Sequence, residues 1–311
     1  MQNNVAFVFP GQGSQTVGML ADFKDNDIVQ QTFTQASKAL GYDLWQLVSQ
    51  GPAEKLNQTN FTQPALLTVS VALYRLWLSQ STIKPALLAG HSLGEYSALV
   101  CSDVISLEQA VKLVEKRGEY MQASVPEGVG AMAAVIGLAD QAIIDACANA
   151  AENEVVSAVN FNSPGQVVIA GNKAAVERAG VLCKEAGAKR VLPLPVSVPS
   201  HCSLMQEAAE KLAVQFNQVD FNQPSINVIN NVDVATETDV EAIKQALIKQ
   251  LYSPVRWTET IEKLGSNGID TVLEVGPGKV LQGLMKRIDK SITCLSVNDN
   301  ASLTKANELF N

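Results

Sequence analysis

Gly90-His91-Ser92-Leu93-Gly94 sets a serine between two glycines, after the apolar run from Pro85 to Ala89 and before a helix-compatible stretch. In that setting G-x-S-x-G describes a nucleophile elbow, a tight strand-to-helix turn that lifts a serine hydroxyl clear of the backbone. Gly90 and Gly94 supply the room, because a Cβ at either place would crowd the turn. The following helix aims its free N–H groups and positive dipole end at Ser92, which places the Leu93 amide to bind an oxyanion. The competing explanation is a glycine-rich turn with no chemistry.

A serine nucleophile needs a base, and the chain has only two histidines, His91 and His201. His91 precedes Ser92, so its side chain should point away from that of its neighbour. His201, in the proline-punctuated segment Pro195 to His201, is therefore the base if there is one. Arg117 is the third candidate. It falls on the apolar stripe Ala110, Leu113, Val114, Met121 of a helix capped at Ser106, with Gln109 completing an S-x-x-Q capping box. A guanidinium on a core-facing stripe must meet an anion, either a structural Glu or Asp or the carboxylate of a substrate. The first apolar run, Val5–Pro10, leads into Gly11-Gln12-Gly13-Ser14-Gln15. Its glycines miss the dinucleotide spacing, and a loop donating a second N–H to an oxyanion fits better, with a simple tight turn as the alternative.

With 311 residues, 47% hydrophobic and 17% charged, the chain is long enough for one large domain, or for a large one with a smaller insertion. The net charge of −8, with no basic stripe, argues against nucleic acid. No apolar run reaches the roughly 18 residues of a membrane span, and the start lacks a targeting signature, so a cytoplasmic location is expected. Five widely spaced cysteines favour free thiols over a disulfide or zinc framework, and two histidines make a His-based metal site improbable. Neither a metal nor a cofactor is expected.

Residues 28–80 look mostly helical, with a long apolar helix opening at Gln63-Pro64-Ala65. From Gly130 to Leu194 the pattern becomes β-α-β-β-α-β, the ferredoxin-like order, with a hairpin turn at Asn162-Ser163-Pro164-Gly165. Later strands are expected at Ile226–Ile229, Thr271–Val275 and Ile292–Val297, the last at an edge. Strands alternating with helices on both sides of the insertion indicate a mostly parallel sheet.

Taken together, GQGSQ at Gly11–Gln15, GHSLGEY at Gly90–Tyr96, Arg117, NSPGQ at Asn162–Gln166, PSH at Pro199–His201 and EVGPG at Glu274–Gly278 resemble the malonyl-CoA:acyl-carrier-protein transacylases of type II fatty-acid synthesis. The resemblance covers nearly the whole chain. It implies an α/β-hydrolase-like catalytic domain (1–127 and 196–311) with a ferredoxin-like insertion (128–195). It implies Ser92 as the acylated nucleophile, His201 as its base and acid, and Arg117 as holder of the malonyl carboxylate. The Gln12 and Leu93 amides would form the oxyanion hole, and the Gln250 carbonyl would stand where a triad carboxylate is usually sought. The related polyketide acyltransferase domains carry a selectivity motif ending in the histidine; Val198-Pro199-Ser200-His201 matches neither its malonyl nor its methylmalonyl form. The implied partners are malonyl-CoA and an acidic acyl carrier protein, with the enzyme a monomer. Docking would need a local basic patch, for which Lys189, Arg190, Lys279, Lys286 and Arg287 are candidates. A hydrolase of carboxylated esters and a non-catalytic acyl-binding protein are the alternative functions.

Overall fold

The computed structural model describes residues 4–126, 128–196 and 198–310; the expected boundary at residue 127 falls outside these. Among them, nine strands form two sheets: β1 (Val5–Phe9), β2 (Leu87–Gly90), β3 (Gly130–Ile136), β4 (Val156–Ser163), β5 (Gln166–Asn172), β6 (Arg190–Pro193), β7 (Val228–Ile229), β8 (Thr271–Val275) and β9 (Thr293–Val297).

The first sheet has the order β7-β2-β1-β8-β9 and every pair in it is parallel. Its central strand, VAFVF, is buried at every residue, which is why it reads as a continuous apolar run rather than an alternating one. Phe7 and Phe9 face the long helix Thr59–Gln80, where Phe7 meets Tyr74 and Trp77 edge-on at ring distances of 5.9 and 5.8 Å. Ala6 and Val8, on the other face, join Trp257 and Ile261. Because all strands run one way, the loops after β1, β2, β7 and β8 lie on one edge, the usual place for a site in such sheets.

The second sheet, β4-β5-β3-β6, is antiparallel throughout. Counted within the unit, its order is 2-3-1-4, the ferredoxin-like topology. On one face Ala133, Val135, Val167 and Ile169 pack against helices Asp140–Ala151 and Lys173–Glu185. On the other, Met132, Ala134, Val168 and Ala170 pack with Cys202 of the larger unit. Both faces are covered, which accounts for the unbroken apolar sequence of β3. The units are also joined through the edge strand β4, where Val255 accepts from the Phe161 N–H at 3.0 Å and donates to the Val159 carbonyl at 2.8 Å.

Three local expectations change. The long helix begins at Thr59, so Pro64 lies inside it rather than in its first turn. Helix Leu107–Ala123 is capped by the Ser106 hydroxyl accepting from the Gln109 N–H at 3.3 Å, but the Gln109 side chain meets the Ser106 hydroxyl and Asp220 rather than the Ser106 N–H that would close a reciprocal box. Residues expected to extend β7 at its start are drawn off: the Ile226 N–H donates to the Ser102 hydroxyl, leaving only Val228–Ile229 as strand. Among the described residues no helix is long and apolar enough to cross a membrane.

Candidate active site

The turn after β2 is held in a conformation that a serine adopts only when the surroundings impose it. Ser92 has φ 54° and ψ −108°, a left-handed backbone that costs about 1–3 kcal/mol. The glycines let neighbouring backbones close around it. A Cβ on Gly94 would sit 2.0 Å from the Phe9 carbonyl oxygen, and one on Gly90 would sit 1.9 Å from the Gly94 carbonyl carbon. Polar contacts fix the turn further. Asn231, just after β7, accepts from the Ser92 N–H at 2.7 Å and donates to the Gly90 carbonyl at 2.6 Å. The Gln250 side chain donates to the Ser92 carbonyl at 3.1 Å.

His201 lies 2.8 Å from this hydroxyl through Nε2. Its Nδ1 is 2.7 Å from the Gln250 carbonyl oxygen. A carbonyl only accepts, so the proton resides on Nδ1, and Nε2 presents a lone pair to the serine O–H. The backbone repeats the attachment, with the His201 N–H donating to the Leu251 carbonyl at 2.9 Å. Burial, then the charge of Arg117, pulls the His201 pKa down to about 3, against the opposing pull of the Gln250 carbonyl. The imidazole is therefore neutral across the physiological range.

Arg117 reaches the same point from helix Leu107–Ala123. It is 1% exposed, and its Nη2 lies 3.4 Å from Ser92 Oγ. Nη1 donates to Gln63 Oε1 and Nη2 to Gln250 Oε1, each at 2.9 Å. Its guanidinium carbon sits 5.4 Å from the centre of the Tyr96 ring, while Nε is buried without a partner. Among the described residues no carboxylate pairs directly with it. A buried cation held only by neutral oxygens keeps most of its attraction for an incoming anion.

The amides of Gln12 and Leu93 both border the cleft, and neither donates to an acceptor among the described residues. Leu93 is the first residue of helix Leu93–Cys101, where an unpaired N–H is normal. His91 turns away from the serine. Its Nε2 lies 2.8 Å from Asn162 Oδ1 on β4 and its ring lies tilted, 5.4 Å from that of Trp257, with burial lowering its pKa. The cleft of about 340 Å³ runs between the two sheets and includes Ser92, Arg117, His201, Met132, Val168 and Leu194 in its lining. The five basic candidates are all exposed. Lys279, Lys286 and Arg287 belong to the helix Val280–Ile288 and its N-cap, the helix whose Val280, Leu281 and Leu284 line the cleft. Lys189 and Arg190 are at the start of β6, whose far end leads to the cleft at Leu194.

Glu95, Asn231, Gln63 and the side chain of Gln250 were not expected to matter. One signal was available for Glu95, which stands three residues after Ser92, so a helix beginning at the elbow folds it back under the turn.

The acyl transferase domain family matches residues 6–306. The malonyl CoA-acyl carrier protein transacylase of Haemophilus influenzae is 64% identical over 307 residues, covering 98% of each chain. That of Escherichia coli (strain K12) is 62% identical over 305 residues, 98% of this chain and 99% of its own. The chain belongs to the acyl transferase family, among the malonyl CoA-acyl carrier protein transacylases. Solved structures of that group superpose closely. An acyl carrier protein S-malonyltransferase from Vibrio cholerae has a TM-score of 0.96 at 64% identity, with 97% of this chain and 99% of that one covered. A malonyl-transacylase solved in complex with a type II PKS acyl-carrier protein has a TM-score of 0.97 at 58% identity, with 98% and 99% covered. Family membership accounts for both sheets at once, the α/β-hydrolase-like parallel one and the ferredoxin-like antiparallel one.

Proposed function

We propose that the chain moves a malonyl group from malonyl-CoA to the phosphopantetheine thiol of acyl carrier protein through an ester on Ser92, supplying malonyl-carrier for fatty-acid elongation. The observation that carries this reading is the meeting of three groups at one hydroxyl: Ser92 Oγ lies 2.8 Å from His201 Nε2 and 3.4 Å from Arg117 Nη2.

The steps follow from that geometry. His201 Nε2 takes the serine proton as Oγ attacks the thioester carbonyl. The developing oxyanion rests on the Gln12 and Leu93 amides. Collapse breaks the C–S bond, His201 returns the proton to the departing CoA sulfur, and Ser92 carries the malonyl ester. The carrier thiol then attacks that ester by the same steps in the opposite sense. Arg117 binds the free malonyl carboxylate through its planar fork. It also couples binding to chemistry: the carboxylate offsets the Arg117 charge that depresses the basicity of His201, so a bound malonyl group makes the base stronger.

The Gln250 carbonyl does the orienting work of a triad carboxylate, holding the Nδ1 proton. No cofactor is required, since the nucleophile and proton carrier are side chains and phosphopantetheine arrives on the partner. Residues 1–127 and 196–311 are the catalytic body, with 128–195 inserted as the wall of the cleft. One chain supplies the nucleophile, its base and the guanidinium, which suits a monomer. The five cysteines are free and buried, which suits the reducing cytoplasm. The acidic carrier docks over Lys279, Lys286 and Arg287 beside the cleft mouth, with Lys189 and Arg190 as more distant contributors.

Incubation with radiolabelled malonyl-CoA, with and without holo carrier protein, tests the proposal. Label on the protein that chases to the carrier is expected. Release of free malonate alone would make the protein a hydrolase, and absence of labelled protein would make it non-catalytic.

A further inference from the structure

The mechanism leaves one buried acid unused. Glu95 is 2% exposed on the helix beneath the elbow. Its Oε2 accepts from the Asn231 N–H at 2.9 Å and from Gln250 Nε2 at 2.8 Å. Each of those residues has its side chain committed to the site. Asn231 holds the Ser92 N–H and the Gly90 carbonyl. Gln250 holds Arg117 Nη2 with its side-chain oxygen, the Ser92 carbonyl with its side-chain nitrogen and the His201 Nδ1 proton with its backbone oxygen.

An amide has two unlike ends, and nothing in Gln250 itself chooses which faces Arg117. Two acceptors make the choice: Glu95 Oε2 at 2.8 Å and the Ser92 carbonyl at 3.1 Å each take the NH2 end, which leaves the carbonyl for the guanidinium. Without Glu95 the longer bond to the Ser92 carbonyl alone would hold that end, and the looser grip would let the NH2 end turn toward Arg117, where two donors would face each other. Building on the transfer reaction above, we propose that Glu95 is a positioning residue for acyl selection: its Oε2 fixes Gln250 and Asn231 together, and through them the aim of Arg117 and the strained turn of Ser92.

The requirement is reach and acceptance rather than charge. Burial pushes the Glu95 carboxyl up to about 7, so a good part of it is uncharged at neutral pH. A glutamine of the same length can still accept both bonds. An aspartate keeps the charge but falls a methylene short.

The test compares Glu95→Ala, Glu95→Asp and Glu95→Gln with the wild type, reading kcat/KM for malonyl-CoA and for acetyl-CoA. Alanine and aspartate are expected to lower the malonyl-over-acetyl preference by about tenfold, because Arg117 serves only the carboxylated substrate, and glutamine to recover it to within about threefold. A merely structural role would lower both substrates alike and leave the ratio within about twofold of wild type; that outcome overturns the proposal, as does a glutamine variant no better than alanine. Crystal structures of the alanine and aspartate variants decide the same point without reference to activity. Gln250 Oε1 is expected to leave Arg117 Nη2, and retention of that contact in both overturns the positioning role. If alanine does not fold, aspartate carries both measurements. Failure of wild-type Ser92 to take malonyl label would sink the transfer reaction alone, with the crystal structures still judging Glu95.

Discussion

The two sheets divide the work unequally. The parallel sheet and its helices bring every ionisable group to the cleft: His91, Arg117 and His201, with Ser92 beside them. The antiparallel sheet contributes Met132, Asn160, Asn162, Gln166 and Val168, with Leu194 just past β6, none of which titrates. The reason lies in strand direction. Parallel strands put all their C-terminal loops on one edge, so loops distant in sequence converge there. Antiparallel strands alternate their ends and instead offer a broad face, suited to covering a cleft. Chemistry and enclosure can then vary separately, and substitutions in the two units should fail differently.

The largest effect should come from the parallel side. Ser92→Ala should lower transfer by at least about a thousandfold and abolish labelling of the protein by malonyl-CoA. Arg117→Ala should come next, cutting malonyl transfer by about a hundredfold while sparing acetyl transfer, as read from the two kcat/KM values. Equal loss for both substrates would remove the clamp role and leave Arg117 as structure. On the antiparallel side, Leu194→Ala should leave transfer nearly intact. It should instead raise hydrolysis of the malonyl-enzyme by about fivefold, measured as free malonate, because a thinner wall admits water. A hundredfold loss of transfer there would break the division of labour.

The smallest expected change is in pH dependence. With the His201 pKa held at about 3, acylation by malonyl-CoA should fall by less than about threefold from pH 7 to pH 5, where an ordinary imidazole would lose about twenty-fivefold. The same shift has a stability consequence of definite sign. Below about pH 6.5 the unfolded chain takes up a proton that folded His201 refuses, so stability is lost as pH falls from there toward 3. Denaturation midpoints of wild type and His201→Ala should therefore converge or cross as the pH is lowered through that window.

The elbow, the two-sheet architecture and the three groups at Ser92 Oγ were legible because each leaves a local mark. Gly90 and Gly94 mark a turn that excludes Cβ atoms, Arg117 marks itself by sitting on an apolar stripe, and unbroken runs such as VAFVF mark strands covered on both faces. Pro64 misled, since proline at a helix start is the commoner use; the helix instead begins at Thr59, with Thr59 and Asn60 packed closely on Gly118 of helix Leu107–Ala123. β7 was overestimated because Ile226 is apolar enough for strand, yet its N–H is claimed by Ser102, a partner more than a hundred residues away in the chain.

Spacing and residue type alone thus determined that a serine would stand on a turn, that His201 was the histidine left to reach it, and that a guanidinium would lie on a buried stripe; among the described residues no carboxylate pairs with that guanidinium, and Gln63 and Gln250 hold it instead. The tertiary structure decided that Gln250 holds His201 through its backbone and Arg117 through its side chain, with Glu95 and the Ser92 carbonyl both accepting from the NH2 end of the amide. Turn geometry and periodicity are written in neighbouring residues. A buried hydrogen-bond network joins positions 63, 95, 117, 231 and 250, and its polarity exists only once the chain has brought them within three ångströms of one another.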